Sequence, residues 1–365
     1  MLETRPELQN LSDYVPGKSI EEVKTKYNLS NVIKLASNEN PLGPSPKAQA
    51  AYLAVSSKLH LYPRGDAPDL IQAIAQKHSV SKHQIILGNG SDEVIDMVGK
   101  AFIRHEDECL SLEPTFSVYR FVALSFGAKY ITVPALEEDS PLEALLKKVS
   151  SKTRVIFICN PNNPTGSYFS QRELLDFIKQ IPPSVLIFVD EAYAEYAQAL
   201  DYPHLTPYIQ EYPNLVISRT FSKIYALAGL RVGYAISSPQ VIAGFWKVKP
   251  PFDINIAAQA SALAAISDTE HVQKSIDLNN KGLVFVTQKI KALGFQVLSS
   301  QANFLCVRIG SDASNLVNYL ESQGVIVRGL SSFGMPEWIR VTIGTPEEND
   351  FFIKQFYQWN TNARN

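Results

Sequence analysis

Three apolar runs constrain this chain more than any other feature. Val155-Ile156-Phe157-Ile158-Cys159, Val185-Leu186-Ile187-Phe188-Val189 and Leu215-Val216-Ile217-Ser218 are short, unbroken and rich in β-branched or aromatic residues, as fully buried strands are. Each stops in a polar or turn-forming cluster. Asn160-Pro161-Asn162-Asn163-Pro164-Thr165-Gly166 follows the first, Asp190-Glu191-Ala192-Tyr193 the second, and Thr220-Phe221-Ser222-Lys223 the third. Further runs at 85–87, 109–112, 129–133 and 231–236 alternate with helical patterns. In one of these, Pro68 to His78, Leu70, Ile71, Ile74 and Ala75 recur on one face. The alternation predicts an α/β fold with a mostly parallel seven-stranded sheet covered by helices. Open sheets of this kind hold ligands at the carboxyl ends of their strands. Asn163, Asp190, Tyr193, Lys223 and Arg231 are therefore expected along one edge.

Those side chains match the needs of pyridoxal phosphate. The cofactor requires an amine for its aldehyde, a carboxylate at its ring nitrogen, donors for its phenolic oxygen, and hydroxyls with a cation for its phosphate. Lys223 offers the amine, and desolvation lowers the pKa of such a lysine. Asp190 offers the carboxylate, Asn163 and Tyr193 the donors, and Thr220, Ser222 and Arg231 the phosphate contacts. Upstream, Ile85-Ile86-Leu87 runs into Gly88-Asn89-Gly90-Ser91-Asp92. Strand, glycine turn and helix N-terminus present free N–H groups and a favourable dipole to an anion. Gly90, Ser91 and Asp92 are the expected cradle, Asp92 acting chiefly through its N–H. Taken singly, Lys223 reads as a loop residue, Asp190 as a helix cap and Arg231 as a surface ion pair; their order together carries the reading.

With these motifs, with Tyr14-Val15-Pro16-Gly17-Lys18 near the start and with Ile339-Arg340-Val341-Thr342-Ile343-Gly344 near the end, the chain resembles the fold-type-I pyridoxal-phosphate aminotransferases. Within them it is similar, nearly end to end, to the histidinol-phosphate aminotransferases. The resemblance implies a Schiff base between Lys223 and the cofactor, and a stack of Phe116, in Glu113-Pro114-Thr115-Phe116, on the pyridine ring. It implies substrate contacts from Tyr14, Tyr62, Asn163, Arg328 and Arg340, with Tyr14 meeting the substrate phosphate. Tyr62, in Leu61-Tyr62-Pro63-Arg64-Gly65, would reach into the site of a second copy and make the enzyme a homodimer. Arg328 and Arg340 would hold the phosphate of one substrate and the carboxylates of the other. The implied reaction converts L-histidinol phosphate and 2-oxoglutarate to imidazole-acetol phosphate and glutamate, in cytoplasmic histidine biosynthesis. Three other readings stand beside it: an aromatic amino-acid aminotransferase of the same subfamily, an amino-acid-phosphate decarboxylase, and a non-catalytic sensor of the same fold. The sensor needs a lost lysine or a fused DNA-binding segment, and the sequence has neither.

Composition narrows the partners to small molecules. The 365 residues carry a net charge of −2, which gives no footprint for nucleic acid or an anionic membrane. No apolar run approaches a bilayer span, and the N-terminus has no apolar core of a signal peptide. Cys109, Cys159 and Cys306 lie far apart in or beside apolar runs and read as reduced core residues. No metal site is expected, because the cysteines and histidines lack ligand spacing. An N-terminal arm is expected over 1–35, including a capping box at Ser19 and Glu22. A large cofactor-binding domain follows over 36–252, then a helical connector over 253–290 after Pro250-Pro251-Phe252, and a smaller α+β domain over 291–365.

Overall fold

The computed structural model describes residues 3–9, 11, 17–310 and 313–364, so Tyr14 lies outside the described residues. A two-residue strand, β1 (Ile33–Lys34), precedes the seven strands of one large sheet. These are β2 (Ile85–Gly88), β3 (Glu108–Glu113), β4 (Lys129–Pro134), β5 (Thr153–Cys159), β6 (Leu186–Asp190), β7 (Leu215–Thr220) and β8 (Gly233–Ile236). Their order across the sheet is β2-β8-β7-β6-β5-β3-β4. Neighbours run parallel from β7 to β4, while β8 runs antiparallel to both β7 and β2. That single reversal matters for the site. The start of β8, with Arg231 just before it, lies at the edge where β2, β5, β6 and β7 end.

Alternation along the central strands builds two cores, because residues two apart share a face. Ile156, Ile158, Ile187, Val189, Leu215 and Ile217 face one cluster, covered by helices Pro68–His78, Gln171–Ile178 and Ile256–Ile266. Val155, Phe157, Leu186, Phe188 and Val216 face the other, covered by helices Ser91–Phe102, Val118–Ser125 and Pro239–Trp246. The central strands are thus apolar on both faces because both faces are covered. Among the described residues no helix is long and apolar enough to cross a membrane.

The stretch expected as a connector is two elements with different partners. Ile256–Ile266 packs its alanines into the first core of the large sheet. Thr269–Ala292, about 36 Å long for its 24 residues, starts against that core at Val272 and Ile276. It ends in a third core at Val286 and Ile290. That core backs a second sheet, order β12-β13-β10-β9, of β9 (Gln296–Val297), β10 (Phe304–Arg308), β12 (Arg328–Gly329) and β13 (Trp338–Thr342).

The run Val325-Ile326-Val327-Arg328, which reads as one strand, splits in two. β11 (Val325–Ile326) pairs in parallel with β1, and β12 pairs with β13. The chain changes partners at Val327, which no local pattern encodes. The arm is tied down beside this switch. Ser19 and Glu22 form the expected capping box, and the buried Glu321 carboxylate pairs with both Lys18 and Lys26.

Gly233 is the tightest point between β8 and the glycine turn. A Cβ there would stand 2.5 Å from Ser91 N and 2.8 Å from Gly90 C, both backbone atoms. Gly233→Ala is expected to destabilise the fold by about 1–3 kcal/mol and to lower the melting temperature in thermal unfolding. An unchanged melting temperature would mean that the turn yields without strain.

Candidate active site

The three polar clusters do arrive together. β5, β6 and β7 are adjacent and in register, Cys159 opposite Asp190 and Asp190 opposite Ser218. Lys223 follows the end of β7 in a tight turn closed by the Ala226 N–H on the Lys223 carbonyl. Its Nζ donates to the Ser37 carbonyl at 3.0 Å and stands 5.8 Å from the centre of the Tyr193 ring. Burial, then the nearby Arg340 guanidinium, lowers its pKa to about 8.

Asp190 is the most constrained group of the edge, 2% exposed. Tyr119 Oη donates to Oδ2 at 2.7 Å and the Ala192 N–H donates to Oδ1 at 3.2 Å. Among the described residues no cation pairs with it. Burial raises its pKa to about 6, opposed by the Tyr119 hydrogen bond. Beside it, the buried Tyr193 hydroxyl accepts from Asn38 Nδ2 at 2.8 Å. Asn163 Oδ1 accepts from Arg340, whose second Nη donates to the Ala36 carbonyl at 2.7 Å. Arg340 lies on β13, so the second sheet delivers its guanidinium to the edge of the first.

The glycine turn supplies the other half of the site. Gly90, at φ +81°, leads into helix Ser91–Phe102, whose N-terminus carries no side-chain cap. Arg231 lies over this turn, and a Cβ on Gly90 would meet its Nη2 at 2.3 Å. Arg231 itself is held in the left-handed region at φ 55°, a strained setting for a side chain of its size. Its guanidinium reaches Asp92 Oδ2 at 3.1 Å, Ser222 Oγ at 3.4 Å and the Ala228 carbonyl at 3.3 Å. Thr220 Oγ1 accepts the Ser222 N–H at 3.1 Å. Gly90, Ser91, Asp92, Thr220, Ser222 and Arg231 therefore converge, with the Asp92 carboxylate offset by the arginine.

Phe116 is half-buried and meets Tyr119 edge-on at 5.6 Å. Tyr62 is elsewhere on the surface, 83% exposed and stacked on Phe252 at 4.8 Å. Arg328 stands directly opposite Arg340 in the β12–β13 register, and residues so opposed share a face of the sheet. Arg328 also donates to Ser332 Oγ at 3.4 Å.

Several working residues escape a reading of the sequence. Tyr119 sits three residues after Phe116, a helical spacing that reads as core aromatic. Asn38 lies in a loop whose partners, Tyr193 and Thr342, are remote in the chain. Arg219 forms a buried triad with Glu191 and Glu195, fastening the exit of β6 to β7. Its place directly after an apolar run was the available signal.

The residues present fit pyridoxal phosphate. A buried carboxylate without a cation suits a protonated ring nitrogen, and a uncapped helix N-terminus under an arginine suits a phosphate. Residues 30–356 match the family described as aminotransferase class I and II. The histidinol-phosphate aminotransferase of Moorella thermoacetica is 43% identical, over 96% of this chain and 91% of that protein. The chain belongs to the histidinol-phosphate aminotransferases of that family. The enzyme of the same name from a Geobacillus species is 41% identical over 98% of both chains. The crystal structure of histidinol-phosphate aminotransferase from Sinorhizobium meliloti, in complex with pyridoxal-5'-phosphate, covers 100% of this chain and 99% of its own at a TM-score of 0.90 and 25% identity. The fold-type-I architecture expected above is thereby established.

An aspartate whose pKa is raised in the fold weakens that fold when ionised. The penalty is complete above about pH 6 and vanishes below the ordinary value of 3.8. Asp190→Asn, which keeps an acceptor for Tyr119, is expected to stabilise the cofactor-free protein at pH 7 by about 1–3 kcal/mol. Denaturant titrations should show that gain shrinking as pH falls from about 6 to about 4. A variant no more stable than the parent at pH 7 would refute an uncompensated carboxylate.

Proposed function

We propose that this enzyme transfers the amino group of L-histidinol phosphate to 2-oxoglutarate, giving imidazole-acetol phosphate and glutamate. The observation that carries the reading is the convergence of Lys223, Asp190 and the Gly90–Arg231 cradle on one sheet edge, with Arg340 held against Asn163. Pyridoxal phosphate, when bound, supplies an aldehyde carbon that takes the substrate amine and a pyridine ring that absorbs carbanion charge.

The chain's own residues then have distinct tasks. Lys223 Nζ would hold the cofactor through its amine and, once the substrate amine has displaced it, would take the proton from the substrate carbon. Its pKa of about 8 leaves protonated and neutral forms both accessible near neutral pH. Asp190 would hold a proton on the ring nitrogen, and Phe116 would cover a face of the ring. Asn163 and Tyr193 serve the phenolic oxygen. Because Asn38 already donates to the Tyr193 hydroxyl, that hydroxyl directs its own proton elsewhere. The N–H groups of Gly90, Ser91 and Asp92 surround the phosphate with Thr220, Ser222 and Arg231.

Arg328 and Arg340, sharing a sheet face, bind the anionic groups of both substrates, with Tyr14 and Asn163 as further substrate contacts. The enzyme acts as a homodimer in which Tyr62 serves the neighbouring site. Leu53, Leu59, Leu61, Tyr62 and Phe252 are all exposed, an apolar surface suited to subunit contact. The large and small domains divide as 36–252 and 291–365, with the arm over 1–35 and the connector over 253–290. Free, buried cysteines suit the cytoplasm.

The decisive experiment is a half-reaction, following the visible cofactor band after adding histidinol phosphate, phenylalanine or phosphothreonine separately. Rapid conversion to the pyridoxamine form by histidinol phosphate is expected. Faster conversion by phenylalanine would move the enzyme to the aromatic aminotransferases, and carbon dioxide released from phosphothreonine would make it a decarboxylase. Arg328→Ala should lower kcat/KM for histidinol phosphate by about 10- to 100-fold while cofactor affinity holds. Unchanged turnover would remove Arg328 from the substrate site. For Tyr62, mixing Tyr62→Ala with Lys223→Ala protomers should restore about a quarter of parental activity, since half the dimers are hybrids carrying one intact site. No restoration would place Tyr62 outside the neighbouring site.

A further inference from the structure

Tyr119 is fully buried, yet transamination as described gives it no task. Its helix, Val118–Ser125, begins directly after the Phe116 loop that follows β3. The Tyr119 ring lies flat on Phe157 of β5, with centroids 4.9 Å apart and planes 6° from parallel. Phe116 closes on it edge-first. A ring clamped by both neighbours holds its hydroxyl in one place, 2.7 Å from Asp190 Oδ2.

The surroundings of Asp190 give this contact its weight. On β5, Cys159 stands opposite it in register, with a thiol that burial keeps protonated and that donates to the Pro161 carbonyl. On β7, Ser218 stands opposite, its Oγ without a hydrogen-bond partner among the described residues. Beyond β6, Ala192 donates one N–H, while Glu191 adds an anion that disfavours ionisation. From helix Ser91–Phe102, Asp92 adds another. Tyr119 is the strongest local influence favouring the carboxylate over the acid, and burial beside Asp190 pushes its own pKa well up, so the proton stays on its oxygen.

We propose that Tyr119 is a positioning residue for the cofactor's ring nitrogen, its hydroxyl fixing Asp190 as an oriented anion while its ring props Phe116 against the same cofactor. The inference rests on the assignment of Asp190 to that nitrogen. One short segment, 116–119, would then place both the flat apolar partner of the ring and, at one remove, its charge partner. Without the hydroxyl, Asp190 becomes more basic and draws the proton off the nitrogen.

The test loads the holoenzyme with ring-15N-labelled pyridoxal phosphate and follows the nitrogen shift by NMR from about pH 6 to about pH 9, where a ring beside an aspartate is expected to keep its proton. The parent should hold the protonated shift throughout. In Tyr119→Phe the shift should move toward the unprotonated position across that whole range, because the more basic carboxylate takes a larger share of the proton. Fluorotyrosine in place of Tyr119, a stronger donor of nearly equal size, should act in the opposite sense and covers the case where Tyr119→Phe does not fold. Loss of melting temperature with unaltered nitrogen shifts in these proteins would reduce Tyr119 to packing and overturn the proposal. A parent whose nitrogen is unprotonated throughout would instead overturn the role of Asp190, and this inference with it.

Discussion

The structure is organised around a carboxylate that pairs with no cation among the described residues. Asp190 ends the central strand β6, flanked by β5 and β7, and is almost wholly removed from solvent. Placing an anion there disfavours the empty fold, because desolvation penalises the charged form and two hydrogen bonds offset it only in part. A water-filled pocket would relieve that penalty and also weaken the field of the aspartate. The apolar runs on both faces of β5, β6 and β7 therefore serve the chemistry as well as the fold. They keep the dielectric low where one charge must count.

The reversed strand β8 does comparable work for the other half of the site. Were β8 parallel to β7, Arg231 would lie at the far edge of the sheet. Antiparallel pairing brings it over the Gly90 turn, where a Cβ on Gly233 would meet backbone and one on Gly90 would meet the arginine's own guanidinium. Arg231 sits at positive φ for the same reason: the chain must turn sharply from the Lys223 loop back into β8. Strain is tolerated here because backbone pairing on both sides of β8 over-determines the position.

Much of this was legible beforehand, for identifiable reasons. Strand existence followed from unbroken β-branched runs, and the helix at Pro68–His78 appears with the expected buried face because its period was clear. Lys223, Asp190, Asn163 and Arg231 could be named because each follows or precedes a strand directly, so position in sequence fixes position at the edge. Residues that act through tertiary contact were not legible. Tyr119 reads as core, Asn38 as loop, and Val325–Arg328 as a single strand, because their partners lie far away in the chain. The connector divides between two cores for a similar reason: helical periodicity reports a buried face but not what buries it.

Arg340 shows how the two sheets come to share one site. Its strand belongs to the second sheet, yet its guanidinium is bound to Asn163 of the first and to the Ala36 carbonyl from the segment after β1. It also lies over the Phe304 ring at 5.4 Å. A guanidinium held this way is aimed in advance, and an arriving anion meets a planar fork whose orientation is already set. The same contacts put a positive charge near Lys223, where it helps depress the lysine's pKa. The charge on Arg340 and the reactivity of the amine are thus coupled electrostatically. An anion that neutralised Arg340 would relieve part of the pressure on Lys223 and make its amine more basic.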